Sequence, residues 1–217
     1  MPDNADFPRK ESLASKLTEL RASLQKINPE VIAARSGAKF NRSDGWSGEF
    51  LLDFWLQPVL IQYPEFEAHA GKRGSPLSPS LQAMLLYYLL TCDGTPPAGE
   101  WISFSDLPNG RFYNHAFQGY TGRKLAATFR NDLSGFERAA ERIPGRRVFA
   151  MGNAAYLFPI LPLVALLVVA WLGDEELPSA YQILFDANVS HHLPTDACAV
   201  LGSMLTEKLI RSVEERK

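Results

Sequence analysis

From Ala154 to Leu172 the chain runs AAYLFPILPLVALLVVAWL without a charge. A run of that length decides first whether a chain folds in a bilayer or around a core of its own. The flanks would suit a span, with Arg146 and Arg147 before it and Asp174, Glu175 and Glu176 after it. Pro159 and Pro162 oppose that reading, because each removes a backbone donor and interrupts a helix early in the run. What remains, Leu163 to Trp171, is strand-length and rich in valine and leucine without alternation. That is the pattern of a strand buried on both faces. We read a central buried strand. A membrane-attached protein through 154–172 stands as an alternative.

The rest of the composition agrees with a globular chain: 46% apolar and 21% charged over 217 residues. With 22 basic and 24 acidic residues the net charge is -2, which gives no pull toward nucleic acid. Two cysteines, Cys92 and Cys198, make neither a zinc cluster nor a disulfide scaffold. The polar, proline-bearing start MPDNADFPRK has no signal-peptide pattern, so the expected compartment is the cytoplasm.

Along the chain, Leu13, Leu17, Leu20, Leu24 and Ile27 make an apolar helical stripe. Residues 1–30 read as a leader helix that the core can spare. Asn28-Pro29-Glu30 starts a second helix, which Gly37 closes. GEFLLDFWLQ and VLIQYPEFEAH read as antiparallel strands separated at Pro58. Ser78 caps a central apolar helix (78–91), with Pro79 at its first position. Trp101 to Phe104 reads as a short strand. Short helices fill 113–142, one of them begun by a Ser134/Glu137 capping box. Strands follow near 148–151, 155–160, 163–171 and 181–185, and then a C-terminal helix (195–214). The expected fold class is α+β: a mostly antiparallel sheet with N-terminal helices, forming one domain over 31–217. Trp55, Trp101 and Trp171 are expected to fill the core.

Three stretches together resemble a known family: WISFSDLPNGRFYNHAF (Trp101 to Phe117), WLGDEELPSAYQILFDA (Trp171 to Ala187) and HHLPTDACAVLGSMLTEKL (His191 to Leu209). This is an uncharacterised prokaryotic family, domain of unknown function three-seven-eight-six. G-D-E-E followed by L-F-D is its most specific part. The resemblance implies a cytoplasmic domain found with iron–sulphur and corrinoid methyl-transfer proteins, and it assigns no reaction. The chain lacks the cysteine runs that a cluster needs, so any cluster would belong to a partner.

Two charge blocks carry the candidate chemistry. Between Arg111 and Arg147 lie eight Arg and Lys side chains against three acids. Between Asp174 and Thr206 lie five carboxylates and no Lys or Arg. Opposite blocks either pair with each other or flank a polar ligand. The expected ligand-binding residues are Arg111, Tyr113, His115, Arg123 and Lys124 on the basic side, and Asp174, Asp186 and His192 on the acidic side. The glycines of GYTGRK would open a helix start to an anion. His191, His192 and Asp186 are weak metal candidates, because adjacent histidines on an extended chain point apart. No G-x-S-x-G elbow is present, and both cysteines read as buried inert thiols. The functional reading is a non-enzymatic binding or accessory module serving a corrinoid or iron–sulphur enzyme system. The alternative is a metal-dependent enzyme using the 174–196 segment.

Overall fold

The computed structural model describes residues 10–43, 45–71, 74–149 and 151–214. The polar leader read before Lys10 and the last residues of the solvated EERK end lie outside the described residues. The chain divides into two compact units, one made of residues up to 96 with 161–163 and 191–193, the other of the remainder.

In the first unit, helix α1 (Lys10–Leu24) packs along α3 (Pro79–Thr91). Leu17, Leu20 and Leu24 are buried, so the leader's stripe seals an α3 that has almost no polar face of its own. Asn28 caps α2 (Pro29–Ser36) by accepting from the Glu30 amide, and Gly37 closes it at φ +69°. A four-stranded antiparallel sheet follows in the order β1 (Lys39–Arg42), β2 (Gly48–Phe54), β3 (Gln57–Tyr63), β4 (Ala68–Ala70). The β2–β3 turn falls at Trp55-Leu56 rather than at Pro58, which pairs with Asp53 inside the ladder. Both turn residues have positive φ, 55° and 58°. A two-residue hairpin requires that conformation, and neither side chain advertises it.

The second unit holds a five-stranded sheet in the order β5 (Trp101–Ser103), β9 (Ala180–Asp186), β8 (Val164–Trp171), β7 (Ala154–Leu161), β6 (Arg146–Val148). The expected buried strand is β8, at the sheet's centre. Leu166 and Val168 point to one face and Leu167 and Val169 to the other, and all four are buried. Trp101 and Trp171, half-buried, lie against the Leu167/Val169 face. The opposite face receives α4 (Gly110–Tyr120), α5 (Gly122–Phe129) and α6 (Leu133–Arg142), through contacts such as Phe117–Phe185 and Phe136–Tyr181, and α7 (Thr195–Glu214) packs against these helices. Pro159 sits in β7 past Leu157, the last residue paired with β6, so its missing donor does not interrupt that ladder. Helix α6 is capped by Asp132, which accepts from the Gly135 amide, rather than by the Ser134/Glu137 box. The class is therefore α+β with two antiparallel sheets. No helix among the described residues is long and apolar enough to cross a membrane.

Candidate functional site

Five of the expected site residues gather on α4 and α5. Helix α4 turns Phe117 inward, where it stacks on Phe104 at 4.1 Å. Phe112, His115, Ala116 and Gly119 recur at helical spacing on its outer side, and all are exposed. Phe112 is 83% exposed and Tyr113 64%. Arg123, across the bend at Thr121, donates from Nη2 to the His115 carbonyl and from Nη1 to His115 Nε2 at 3.4 Å. Arginine has donors only, so Nε2 is the acceptor in that contact. Lys124 pairs with Glu207 of α7. Arg111 lies in the field of Asp106, whose carboxyl is held below the usual range by hydrogen bonds from Ser103 and then by Arg111. Residues 110–129 contain Arg111, Arg123, Lys124 and His115 and no carboxylate. The outcome is an exposed basic face with two aromatic posts and a floor of small side chains.

Gly122 of GYTGRK has a packing task. A Cβ at Gly122 would come within 2.3 Å of the Tyr181 carbonyl, so this glycine lets α5 press against β9.

Asp186 lies apart from that face in its bonding. It is 3% exposed, and its two oxygens accept from the amides of Ala98, Gly99 and Asn188 at 2.8–2.9 Å. Successive backbone amides of this kind form an anion-binding nest. Here the chain's own carboxylate fills it. Asp174 ties a turn, accepting on Oδ1 from the Glu176 and Leu177 amides. Those bonds hold its carboxyl below the ordinary range. Asp174 belongs to a depression with Arg130, at the end of the basic segment. Arg130 and Asp174, one from each charge block, both line this open depression.

The two histidines separate as their adjacency requires. His191 meets Asp93 Oδ2 at 2.7 Å and Thr95 Oγ1 at 3.3 Å, and its bond to Asp93 is the main cause that keeps that carboxyl well below its usual range. His192 is buried beside the Tyr88 ring, with Nδ1 3.2 Å from Cys92 Sγ. Sequence reasoning missed this thiol–imidazole contact, since a hundred residues separate its members. The Cys92 thiol also donates to the Arg35 carbonyl at 3.0 Å. A carbonyl only accepts, so the proton stays on sulphur, and one assignment that satisfies both contacts has His192 donating from Nδ1. Burial pushes the thiol up further. The protonated thiol ties the end of α3 to α2. We expect Cys92 in the native protein to react with iodoacetamide at neutral pH roughly a hundredfold more slowly than a free peptide thiol. Labelling as fast as a peptide thiol would show an activated nucleophile instead. Among the described residues, no three His, Cys, Asp or Glu side chains converge as a metal site.

This α+β architecture and its aromatic, basic outer helix define a class without a reaction. Residues 28–208 match the model of a family described as "Domain of unknown function (DUF3786)". The chain belongs to that family. No curated protein and no solved structure matches it.

Proposed function

We propose that this chain is a non-enzymatic docking module of the cytoplasm, and that the outer face of α4 is where its partner binds. The carrying observation is Phe112 and Tyr113 standing out of a helix whose other exposed positions are Arg111, His115 and small residues. Aromatic and arginine side chains concentrate binding energy at protein interfaces, and burying one phenylalanine contributes about 1.5–3 kcal/mol. Lys124 is paired with Glu207, so Arg111 and Arg123 are the cations that this face offers to an acidic partner surface. The family resemblance makes an iron–sulphur or corrinoid methyl-transfer protein the partner of choice.

The side chains that would serve catalysis are engaged elsewhere: Asp186 in its nest, Cys92 as a neutral thiol. The test is the Phe112→Ser/Tyr113→Ser double variant, compared with wild type for co-purification of an acidic, cofactor-bearing protein from the native host. We expect loss of that partner with a melting temperature within about 2 °C of wild type, since neither ring is buried. Retention of the same partner would remove α4 from the interface.

A further inference from the structure

A second surface, of different character, lies at one end of the five-stranded sheet. Strands β6 and β8 both run toward this end, so two loops adjoin there. The loop that enters β7 carries Phe149 and Met151, and the loop that leaves β8 carries Leu172 and Leu177. Phe149 is 90% exposed and Leu177 68%. Four of the ten large apolar side chains exposed among the described residues thus stand on two adjoining loops. An apolar patch rimmed by polar residues marks an interaction surface.

Hydrogen bonds tie the two loops together and to the sheet. The Asn153 amide donates to the Ala170 carbonyl at 2.9 Å, and Asn153 Oδ1 accepts from the Leu172 amide at 2.8 Å. Asn131 holds both backbone groups of Gly173, donating to the carbonyl at 3.2 Å and accepting from the amide at 2.8 Å. The Asp174 amide closes the second loop on the Leu177 carbonyl at 2.9 Å. Phe149 has a support of its own. The Arg147 guanidinium lies 5.5 Å from its ring centre and pairs with Glu137 of α6. An exposed ring already held in place loses little freedom on docking.

The charges around the patch are sorted by side. Arg146 stands exposed on β6, at the edge of the sheet. Glu175 and Glu176 stand exposed in the turn between β8 and β9. Two to three strands separate them, roughly 10–14 Å at the spacing of neighbouring strands. Phe149 and Met151 adjoin the basic side, and Leu172 and Leu177 the acidic side. A surface with a cation at one end and acids at the other is complementary to itself about a two-fold axis through its middle. We propose that this end of the sheet is a self-association surface. Two copies pack Phe149 and Leu177 together across a two-fold axis, and Arg146 of each copy faces Glu175 and Glu176 of the other. The opposite charge blocks of the sequence then pair between copies. This surface goes beyond the α4 docking reading and stands or falls separately from it.

The test is sedimentation velocity of the full chain at low salt, from about 1 to 200 µM, where a monomer–dimer equilibrium is expected. Phe149→Ser/Leu177→Ser should weaken the dimer about tenfold or more, and the variant should stay folded because neither side chain is buried. Arg146→Glu alone, and Glu175→Arg/Glu176→Arg alone, should each be monomeric, because like charges then meet across the axis. An equimolar mixture of those two variants should dimerise again, since every contact in the mixed pair joins opposite charges. Phe112→Ser/Tyr113→Ser should dimerise as wild type does. The proposal is overturned if wild type stays monomeric at about 200 µM. It is equally overturned if the Phe149/Leu177 variant or either charge reversal dimerises as wild type does, if the mixture stays monomeric, or if the Phe112/Tyr113 variant loses the dimer.

Discussion

Val168→Asp should leave no folded protein. Val168 is fully buried in β8, opposite Ile183 of β9, and β8 has a strand on each side. An aspartate there must either keep its charge without a partner or take up a proton and still lack hydrogen bonds. Either outcome costs several kcal/mol, to which the lost apolar contacts add. A domain has only about 5–15 kcal/mol of stability to lose. The control is Val168→Ala, which makes a cavity without burying polarity and should cost about 1–3 kcal/mol while leaving a cooperative melt. The check is soluble yield and circular dichroism of the two variants side by side. A Val168→Asp protein that melts near wild type would mean that β8 is not the centre of a core.

Asp186→Ala should be the most damaging polar substitution in the second unit. It leaves the amides of Ala98, Gly99 and Asn188 without their acceptor, in a place where the side chain they lose is 3% exposed. An orphaned buried donor costs about 1–3 kcal/mol, so a loss of about 3 kcal/mol is expected for the set. For a chain of this size that is a fall in melting temperature of roughly 6–12 °C. Partner binding through α4 should persist below the new transition. If the melting temperature holds and ligand or partner binding disappears, Asp186 faces a ligand and the nest account is wrong.

The strand β8 was legible because its apolar run does not alternate, and because Pro159 and Pro162 marked where a helix could not run. The caps at Asn28 and Ser78 were legible for the same kind of reason: a cap residue followed by proline is a local signal with a local cause. The Trp55-Leu56 turn was not legible, since a positive φ at two bulky residues is imposed by the register of β2 on β3. Asp132 caps α6 because the helix begins at Leu133, which puts Ser134 inside its first turn. The α1 stripe could be read as a helix. Its role could not, because nothing in Leu17, Leu20 and Leu24 names α3 as the surface they cover.

The site divides in the same way. The basic, carboxylate-free stretch from Gly110 to Phe129 is a property of composition, and Arg111, Tyr113, His115 and Arg123 were proposed from it. Which side of α4 faces outward follows from Phe117 stacking on Phe104, a tertiary fact. Asp186 and the Cys92–His192 contact depend on distant loops, and no spacing rule reaches them. Gly122 looked like a phosphate cradle because sequence shows only that a Cβ is missing. The structure supplies what approaches it, the Tyr181 carbonyl.

The docking account is tested most directly by a photo-reactive p-benzoylphenylalanine placed at residue 112 in the native host. The predicted result is one dominant adduct on irradiation, joining this chain to an acidic protein that carries an iron–sulphur cluster or a corrinoid. Adding Arg123→Glu should remove the adduct, because it reverses the charge of the same face. The same reagent at Glu19, an exposed position of α1, should give no such adduct. If residue 112 yields no adduct, or the same mixture as residue 19, the outer face of α4 is ordinary solvated surface and the docking account is contradicted.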